Sequence, residues 1–405
     1  MSGCGCGGGD LRPVDEAVAL LLERAPQAPA IEWVPLSEAL GRVLAEGQFA
    51  AIDLPTWDNS AMDGYALRAA DVPAQGASLP LAGRIAAGEA GSTPLPAGHA
   101  VRIFTGAPIP PGADTVVPQE RCEAMPGEVR VPPVQLGDHV RRRGEEVRRG
   151  EPLVDAGKRL RPQELGLLAS VGIARVPVHR RLRVGLLSSG DELREPGEPL
   201  GPGQIYNANR YTLCGLLRSL GLDVQDYAVL VDELAASRDA LSLAVSECDV
   251  LVSSGGVSVG EEDHLKNAIR ELGELHLWRL AIQPGKPLAY GEIDGKPWLG
   301  LPGNPAAALI TALVVMRPFL LRAQGVREVL PAPLALPAGF AWPQPRSRRQ
   351  YLRARLEAGR VVLHPDQGSA MLRAASWADG LALVEIGQTL EEGQPVAFLP
   401  FAELS

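Results

Sequence analysis

The residues able to do chemistry gather behind short apolar runs. The densest stretch reads Cys248-Asp249-Val250-Leu251-Val252-Ser253-Ser254-Gly255-Gly256-Val257-Ser258-Val259-Gly260-Glu261-Glu262-Asp263-His264. Its apolar start, rich in β-branched residues, has the pattern of a strand buried in a parallel sheet. Residues 253–260 are small and glycine-rich, so backbone N–H groups can approach a ligand closely. Glu261, Glu262 and Asp263 then open a helix that 266–272 continues. Strand, glycine loop and helix in this order bind anions, because unpaired N–H groups and the positive end of the helix dipole face the ligand. Three carboxylates there would repel a phosphate. Either a divalent cation bridges carboxylate and phosphate, or the acids only complement the helix dipole.

The arrangement recurs. "RLRVGLLSSGDEL" ends a strand at Asp191 and Glu192, and "YAVLVDE" ends one at Asp232. In open α/β sheets ligands bind beyond the carboxyl ends of the strands, so acids repeated at that edge mark a site, although each alone would be a cap. "LPGNPAAALITAL" offers a second anion cradle: Asn304 can cap, Pro305 suits the first helical position and Gly303 allows close approach after Pro302. "IQPGKPLAYG" adds Lys286. Further upstream, "DLPTWDNSAMDGYAL" places the turn formers Asp58 and Asp63 among Trp57, Met62 and Tyr65. A loop that only meets water would not need those apolar anchors. Thr105-Gly106 sits at a strand end and is a ligand contact or a plain turn. "DHVRRRGEEVRRGE" surrounds Glu145 and Glu146 with Arg141, Arg142, Arg143, Arg148 and Arg149, which by composition is a solvated ion-pair face. Near the C-terminus "QGSAMLRAASWADG" carries Ser369, Arg373 and Ser376.

These residues need a scaffold of several domains, since 405 residues exceed one core. Apolar residues make up 46% and aromatics only 4%, so Leu, Val and Ala must fill the cores. A helix is expected over 13–23, with Pro13 at its first position, and a second over 36–44, capped by Ser37. Short strands broken by Gly and Pro follow from 79 to 130, then a helix over 162–171. Strands and helices alternate over 180–329, which predicts a parallel sheet covered on both faces. From 332 onward the period returns to two, the pattern of a small barrel. The expected domains are a linker (10–48 and 144–179), a β-rich insert (49–143), an α/β domain (180–329) and a C-terminal barrel (330–405).

The net charge of −9 argues against nucleic acid or an anionic membrane as partner. Five cysteines form no disulfide framework, and Cys4 and Cys6 in "MSGCGCGGGD" read as a disordered tail. No signal peptide is apparent, and the apolar run 305–316 falls short of the about 20 residues that span a bilayer. A soluble, cytoplasmic protein is expected. P-loop, zinc-peptidase and C-x-x-C motifs are absent, and the six histidines do not cluster. The residues by themselves point to a metal-dependent enzyme acting on a phosphate ester.

"SSGGVSVGEEDHLK", "DNSAMDGYAL", "FTGAPIPPGADTVVPQE", "RRRGEEV", "SSGDEL" and "GLPGNPAAA" together resemble the MoeA family, the molybdopterin molybdenumtransferases related to the gephyrin E domain. The resemblance covers about 14–401. It implies a multidomain α/β plus β fold: a MogA-like parallel-sheet α/β domain, a β-rich insert, an elongated linker and a small C-terminal β-barrel. It implies an enzyme that takes adenylylated molybdopterin and molybdate, releases AMP and passes molybdenum to the dithiolene. Asp63, with Asp58 beside it, then becomes an active-site acid, joined by Thr105 and by Glu146, which stands where the family has aspartate. Glu192, Asp232 and Asp263 would hold Mg²⁺. Ser254, Gly255, Gly256, Ser258 and Gly260, with Pro302, Gly303, Asn304 and Pro305, would position pterin and phosphate. Lys286, Arg349, Ser369 and Ser376 would hold molybdate, and Gln283 replaces a lysine common in related sequences. A homodimer is implied, its cleft shared between one subunit's insert and the other's α/β domain, with a MogA-like adenylyltransferase and molybdoenzyme-specific chaperones as partners. A MogA-like adenylyltransferase is the alternative within the pathway, but it would account for 180–329 only. A scaffold without turnover is the other alternative, against which stand Asp63, Asp232 and Asp263.

Overall fold

The alternating pattern of 183–323 folds into a six-stranded sheet in the computed structural model, which describes residues 11–230, 233–255 and 264–404. Strand order is Asp223–Leu230, Arg183–Ser189, Val250–Ser254, Lys296–Leu301, Pro287–Ile293, Gly273–Arg279. The first four strands are parallel, as the pattern predicts. The last two are antiparallel, which corrects the expectation of a wholly parallel sheet. The cause is local. Asp294 (φ 49°) and Gly295 (φ 73°) form a two-residue turn pairing Ile293 with Lys296, and so short a connection can join only antiparallel strands.

Side chains of the central strand alternate between two cores. Val250 and Val252 pack with Leu213, Leu217, Ile310 and Phe319 on one face. Leu251 packs with Leu241, Leu265, Ile269 and Trp298 on the other. Pro305–Ala323 is long and apolar enough to cross a membrane by length and composition, yet most of it is buried in the first core. Helix Val14–Glu23 also joins that core through Val14, Ala17, Val18 and Leu21, and Pro13 precedes its first turn instead of opening it.

The helix expected over 36–44 is only a 3₁₀ turn, Leu36–Glu38. Gly41 takes φ 72°, and Val43 and Leu44 bridge to Arg159 and Val178, so their backbone is committed to pairing. Helix Pro162–Ser170 forms as expected, with Glu164 accepting from Arg161. Ile31–Pro35 pairs antiparallel with Arg175–His179, which brings the two linker segments together over a core of Val34, Leu44, Leu160, Leu168 and Val176. The insert is a six-stranded sheet ordered Thr115–Pro118, Gly64–Leu67, Ala100–Ile103, Ala77–Ile85, Glu128–Val131, Glu123–Met125.

The C-terminal sheet runs Arg349–Glu357, Gly380–Val384, Pro395–Pro400, Leu334–Pro337, with Arg360–Leu363 beside the first. An Ala338–Val361 bridge and a 2.8 Å bond from Gly339 N–H to Val361 O close it on itself. One further strand, Ile282–Gln283, comes from the α/β half and pairs with Arg349 and Gln350. That short ladder joins the two halves beside the cavity described next.

Candidate active site

A cavity of about 1070 Å³ lies at the carboxyl ends of the parallel strands, walled on one side by the C-terminal sheet's loops. Ser254 and Gly255 end the central strand. Gly255 has φ 84°, and a Cβ there would fall 2.3 Å from Ser189 O. Only glycine fits, so this backbone packs directly on the neighbouring strand end. Pro302, Gly303, Asn304 and Pro305 form the adjacent turn, close enough that a Cβ on Gly303 would stand 3.9 Å from Gly255 Cα. Asn209 ties the two loops together: its Nδ2 donates to Ser254 Oγ and to Gly303 O, both at 2.7 Å. Glu192 enters from the end of Arg183–Ser189.

The cavity also carries two cations, Lys286 and Arg348. Gln283, Pro284, Gly285, Lys286 and Pro287 line it, and the Lys286 carbonyl accepts from Leu280 N at 2.7 Å. From the C-terminal part come Arg348 and residues 367–370. Their loop is held firmly. Gln367 exchanges bonds with the Arg353 backbone at 2.9 Å in both directions, Arg353 Nη2 donates to Gly368 O at 3.0 Å, and Ser369 O accepts from Ala307 N at 3.0 Å. Neither Lys286 nor Arg348 has a carboxylate ion-pair partner among the described residues. Two cations without a carboxylate partner among the described residues and a carboxylate lining one cavity suit a ligand with an anionic end and a metal-binding end.

Of the residues singled out in the sequence, Glu192, Ser254, Gly255, Lys286, Pro302, Gly303, Asn304, Pro305 and Ser369 line this cavity. Asp232, Gly256, Ser258, Gly260 and Asp263 lie outside the described residues. Arg349 does not line it. Its guanidinium bonds both oxygens of Asp15 at 2.7 Å and Glu385 at 2.8 Å. Ser376 is exposed on the helix Leu372–Trp377, away from the cavity lining. Among the described residues no three His, Cys, Asp or Glu side chains gather as a metal site.

Asp63, Thr105 and Glu146 stand elsewhere. Asp63 Oδ1 accepts from both Thr105 N–H and Thr105 Oγ1 at 2.8 Å, and these bonds hold its carboxyl below the ordinary range. Asp63 is exposed, so this charge faces outward from the insert. The arginine-rich segment latches the loop before it. Arg142 and Arg143 N–H bond Asp58 at 2.7 and 2.8 Å, and Arg143 Nε and Arg149 N–H bond Asp53 at 2.6 and 2.9 Å. Glu146 is exposed, its N–H donating to Leu54 O at 3.0 Å.

Sequence reasoning passed over Arg348, Asn207, Asn209 and Gln367. Asn207 carried one signal, a capping residue ahead of the helix Ala208–Ser219. The bond from Asn209 to Ser254 spans 45 residues and leaves no local trace.

Comparison with known proteins agrees with this layout along the whole chain. Residues 12–172 match the MoeA N-terminal region (domain I and II), 185–322 a probable molybdopterin binding domain, and 335–401 the MoeA C-terminal region (domain IV). A molybdopterin molybdenumtransferase of Haemophilus influenzae is 41% identical over 317 residues, 78% of each chain. One from Synechococcus elongatus is 38% identical over 399 residues, 94% of this chain and 97% of that one. The crystal structure of a molybdopterin biosynthesis MoeA protein from Pyrococcus horikoshii OT3 superposes with a TM-score of 0.82 at 28% identity, covering 96% of this chain and 99% of the other. With three matched regions in one order and relatives this similar over most of their length, the chain belongs to the MoeA family and is a transferase of molybdenum cofactor biosynthesis.

Proposed function

We propose that this enzyme inserts molybdenum from molybdate into adenylylated molybdopterin and releases AMP, with Mg²⁺ required. The observation that carries the reading is the cavity's polarity: two glycine-bearing turns, Glu192 and Lys286 come from the α/β half, and Arg348 and Ser369 from the C-terminal half. Backbone N–H groups at Gly303 and Asn304 suit the phosphates of the substrate. Lys286, Arg348 and the Ser369 hydroxyl suit a tetrahedral oxyanion, by charge and by hydrogen bonds. Holding both at once replaces a bimolecular encounter with a positioned one.

Glu192 is a hard oxygen donor at the phosphate end, which fits a cation that binds through one or two carboxylates plus substrate phosphates. Mg²⁺ held there by Glu192, with Asp232 and Asp263, would neutralise phosphate charge and polarise the anhydride. The domain boundaries expected from sequence, the two-fold dimer and the roles of Asp63, Thr105 and Glu146 belong to this same proposal. Asp63 and Thr105 do not line the cavity of their own chain, so a second copy would bring them to it. Exposed apolar side chains on the linker and insert edge, Ile31, Trp33, Phe49 and Trp57, support such a contact.

The test is turnover with adenylylated molybdopterin, molybdate and Mg²⁺. AMP release that depends on both molybdate and Mg²⁺ is expected. Synthesis of the adenylylated pterin from ATP would instead make the protein a MogA-like adenylyltransferase, and no turnover would leave a scaffold.

A further inference from the structure

We infer that Arg353 is a positioning residue for the oxyanion end of the cavity: from behind the wall it holds the loop that presents Ser369. The inference rests on the reading that this end takes molybdate. Arg353 is fully buried, at 0% exposure. It stands on the strand Arg349–Glu357, opposite Leu381 of the neighbouring strand. Tyr351, two residues earlier on the same face, and Leu381 both pack into the α/β core. The guanidinium therefore sits in the seam between the two halves, beside neighbours that belong to a hydrophobic core.

Stability does not account for a charge in that place. No carboxylate lies within ion-pair distance of Arg353 among the described residues. Asp366 is near enough to favour the charge, but its Oδ1 accepts from Gly368 N–H at 2.9 Å. Nε and Nη1 of Arg353 have no hydrogen-bond partner among the described residues. An arginine keeps its proton in a protein, so the buried charge is costly. An apolar side chain of similar volume would be neutral or stabilising there. What the guanidinium does is local: Nη2 donates to Gly368 O at 3.0 Å.

The same residue grips the loop again through its main chain. Its N–H donates to Gln367 Oε1 and its carbonyl accepts from Gln367 Nε2, both at 2.9 Å. Gln367, Gly368, Ser369 and Ala370 all line the cavity. Ser369 O is in turn held by Ala307 N–H at 3.0 Å, from the helix Pro305–Thr311. The loop is pinned at three points, and only the guanidinium contact draws on a buried charge. A hydrogen bond from a charged donor is stronger than one between neutral groups, which suits a loop that must keep its shape beside a bound anion.

Three substitutions test this. Arg353→Met removes charge and bond at similar volume, and Arg353→Lys keeps a charged donor. Gln367→Ala releases the same loop without touching the buried charge. Molybdate binding would be measured by calorimetry, the KM of each substrate from AMP release, and stability by denaturant titration. Hydrogen exchange of the peptide 366–371 in the free protein reads the loop itself. Arg353→Met should be at least as stable as wild type and should exchange that peptide faster. It should raise the molybdate Kd and KM about tenfold, the size of one charged hydrogen bond, and leave the KM for adenylylated molybdopterin within about twofold. Arg353→Lys should recover part of the loss and Gln367→Ala should reproduce it. The double variant Arg353→Met, Gln367→Ala should lose less than the product of the two, because both act on one loop. Unchanged molybdate affinity in Arg353→Met overturns the inference, and so does a loss shared equally by both substrates. If Arg353→Met fails to fold, Gln367→Ala decides: wild-type molybdate affinity with a faster-exchanging loop overturns the inference. In each of these cases the wild-type turnover stands, and only the role of Arg353 falls. If the wild-type protein neither binds molybdate nor releases AMP, the proposed function falls and the inference with it.

Discussion

Asp63 and Thr105 hold each other at 2.8 Å on the insert, yet neither lines the cavity that contains Glu192 and Lys286. If a second subunit completes each site, mixing two dead variants must restore activity. Asp63→Asn is a conservative lesion, because an amide oxygen can still accept both Thr105 bonds while the charge is gone. Glu192→Gln does the same on the cavity side. Each homodimer should release AMP at a small fraction of the wild-type rate. After mixing in equal amounts and reassembly, about half the dimers are mixed by random two-fold pairing. Each mixed dimer holds one site with both native acids and one with neither. About a quarter of wild-type turnover should therefore return, read as AMP release per dimer, with mixed dimers confirmed by native mass spectrometry. If mixed dimers form and turnover stays at the level of the parents, both acids act within one chain, and the shared-site reading is wrong.

Four further outcomes follow from the geometry. Gly255→Ala should lower stability by about 1–3 kcal/mol, since it forces a Cβ towards Ser189 O at an unfavourable φ, and should remove AMP release; denaturant titration showing unchanged stability would contradict it. Gln283→Lys adds a cation on the cavity wall and should tighten molybdate by about 0.5–1 kcal/mol, measured by calorimetry, whereas weaker binding would mean that position 283 does not face the oxyanion. Arg349→Gln frees Asp15 and Glu385 and should cost about 1 kcal/mol, the bonds being partly exposed. The Arg349 hydrogen bond lowers the Asp15 pKa, so this contribution should be present at neutral pH and vanish as pH falls through the depressed folded value, below 3.8; a difference between wild type and variant that persists under such acid would refute the pairing. Burial raises the Cys122 thiol to about 11, so alkylation of Cys122 at pH 8 should be far slower than that of a free cysteine, as peptide mapping would show.

Much of the scaffold was legible because it follows from periodicity. The buried strand at 250–254, the helix with Val14 and Leu21 on one face, and the closed C-terminal sheet all come from apolar spacing. The misreadings came from backbone features that spacing does not encode. Gly41 turns the chain where a helical pattern continues, and the Asp294-Gly295 turn reverses the sheet's direction at one edge. Within the cavity, residues next to strand ends were readable from glycine and acid patterns. Arg348 was not. Three arginines stand at 346, 348 and 349, and only tertiary contacts separate them: Arg346 lies over Trp342, Arg349 is taken by two carboxylates, and Arg348 is left to the cavity. The asparagine clamp is invisible for a similar reason, since its partners at 254 and 303 meet only in the fold.

The two-residue ladder between Ile282–Gln283 and Arg349–Gln350 ties the two halves together beside the cavity. It lies just upstream of Pro284-Gly285-Lys286 in one half and directly follows Arg348 in the other, so main-chain pairing holds together the two backbone segments that carry these cations. The Arg353 side chain, in the same sheet, holds the neighbouring loop of Ser369 through Gly368 O, so main chain and side chain both set this wall. A chain ending near residue 330 would lose Arg348, Ser369 and the rest of the C-terminal contribution to the cavity wall in one step. It would also uncover the unpaired edge of Ile282–Gln283, a template for pairing with other chains. The α/β unit is thus tied to its C-terminal companion for solubility as much as for chemistry.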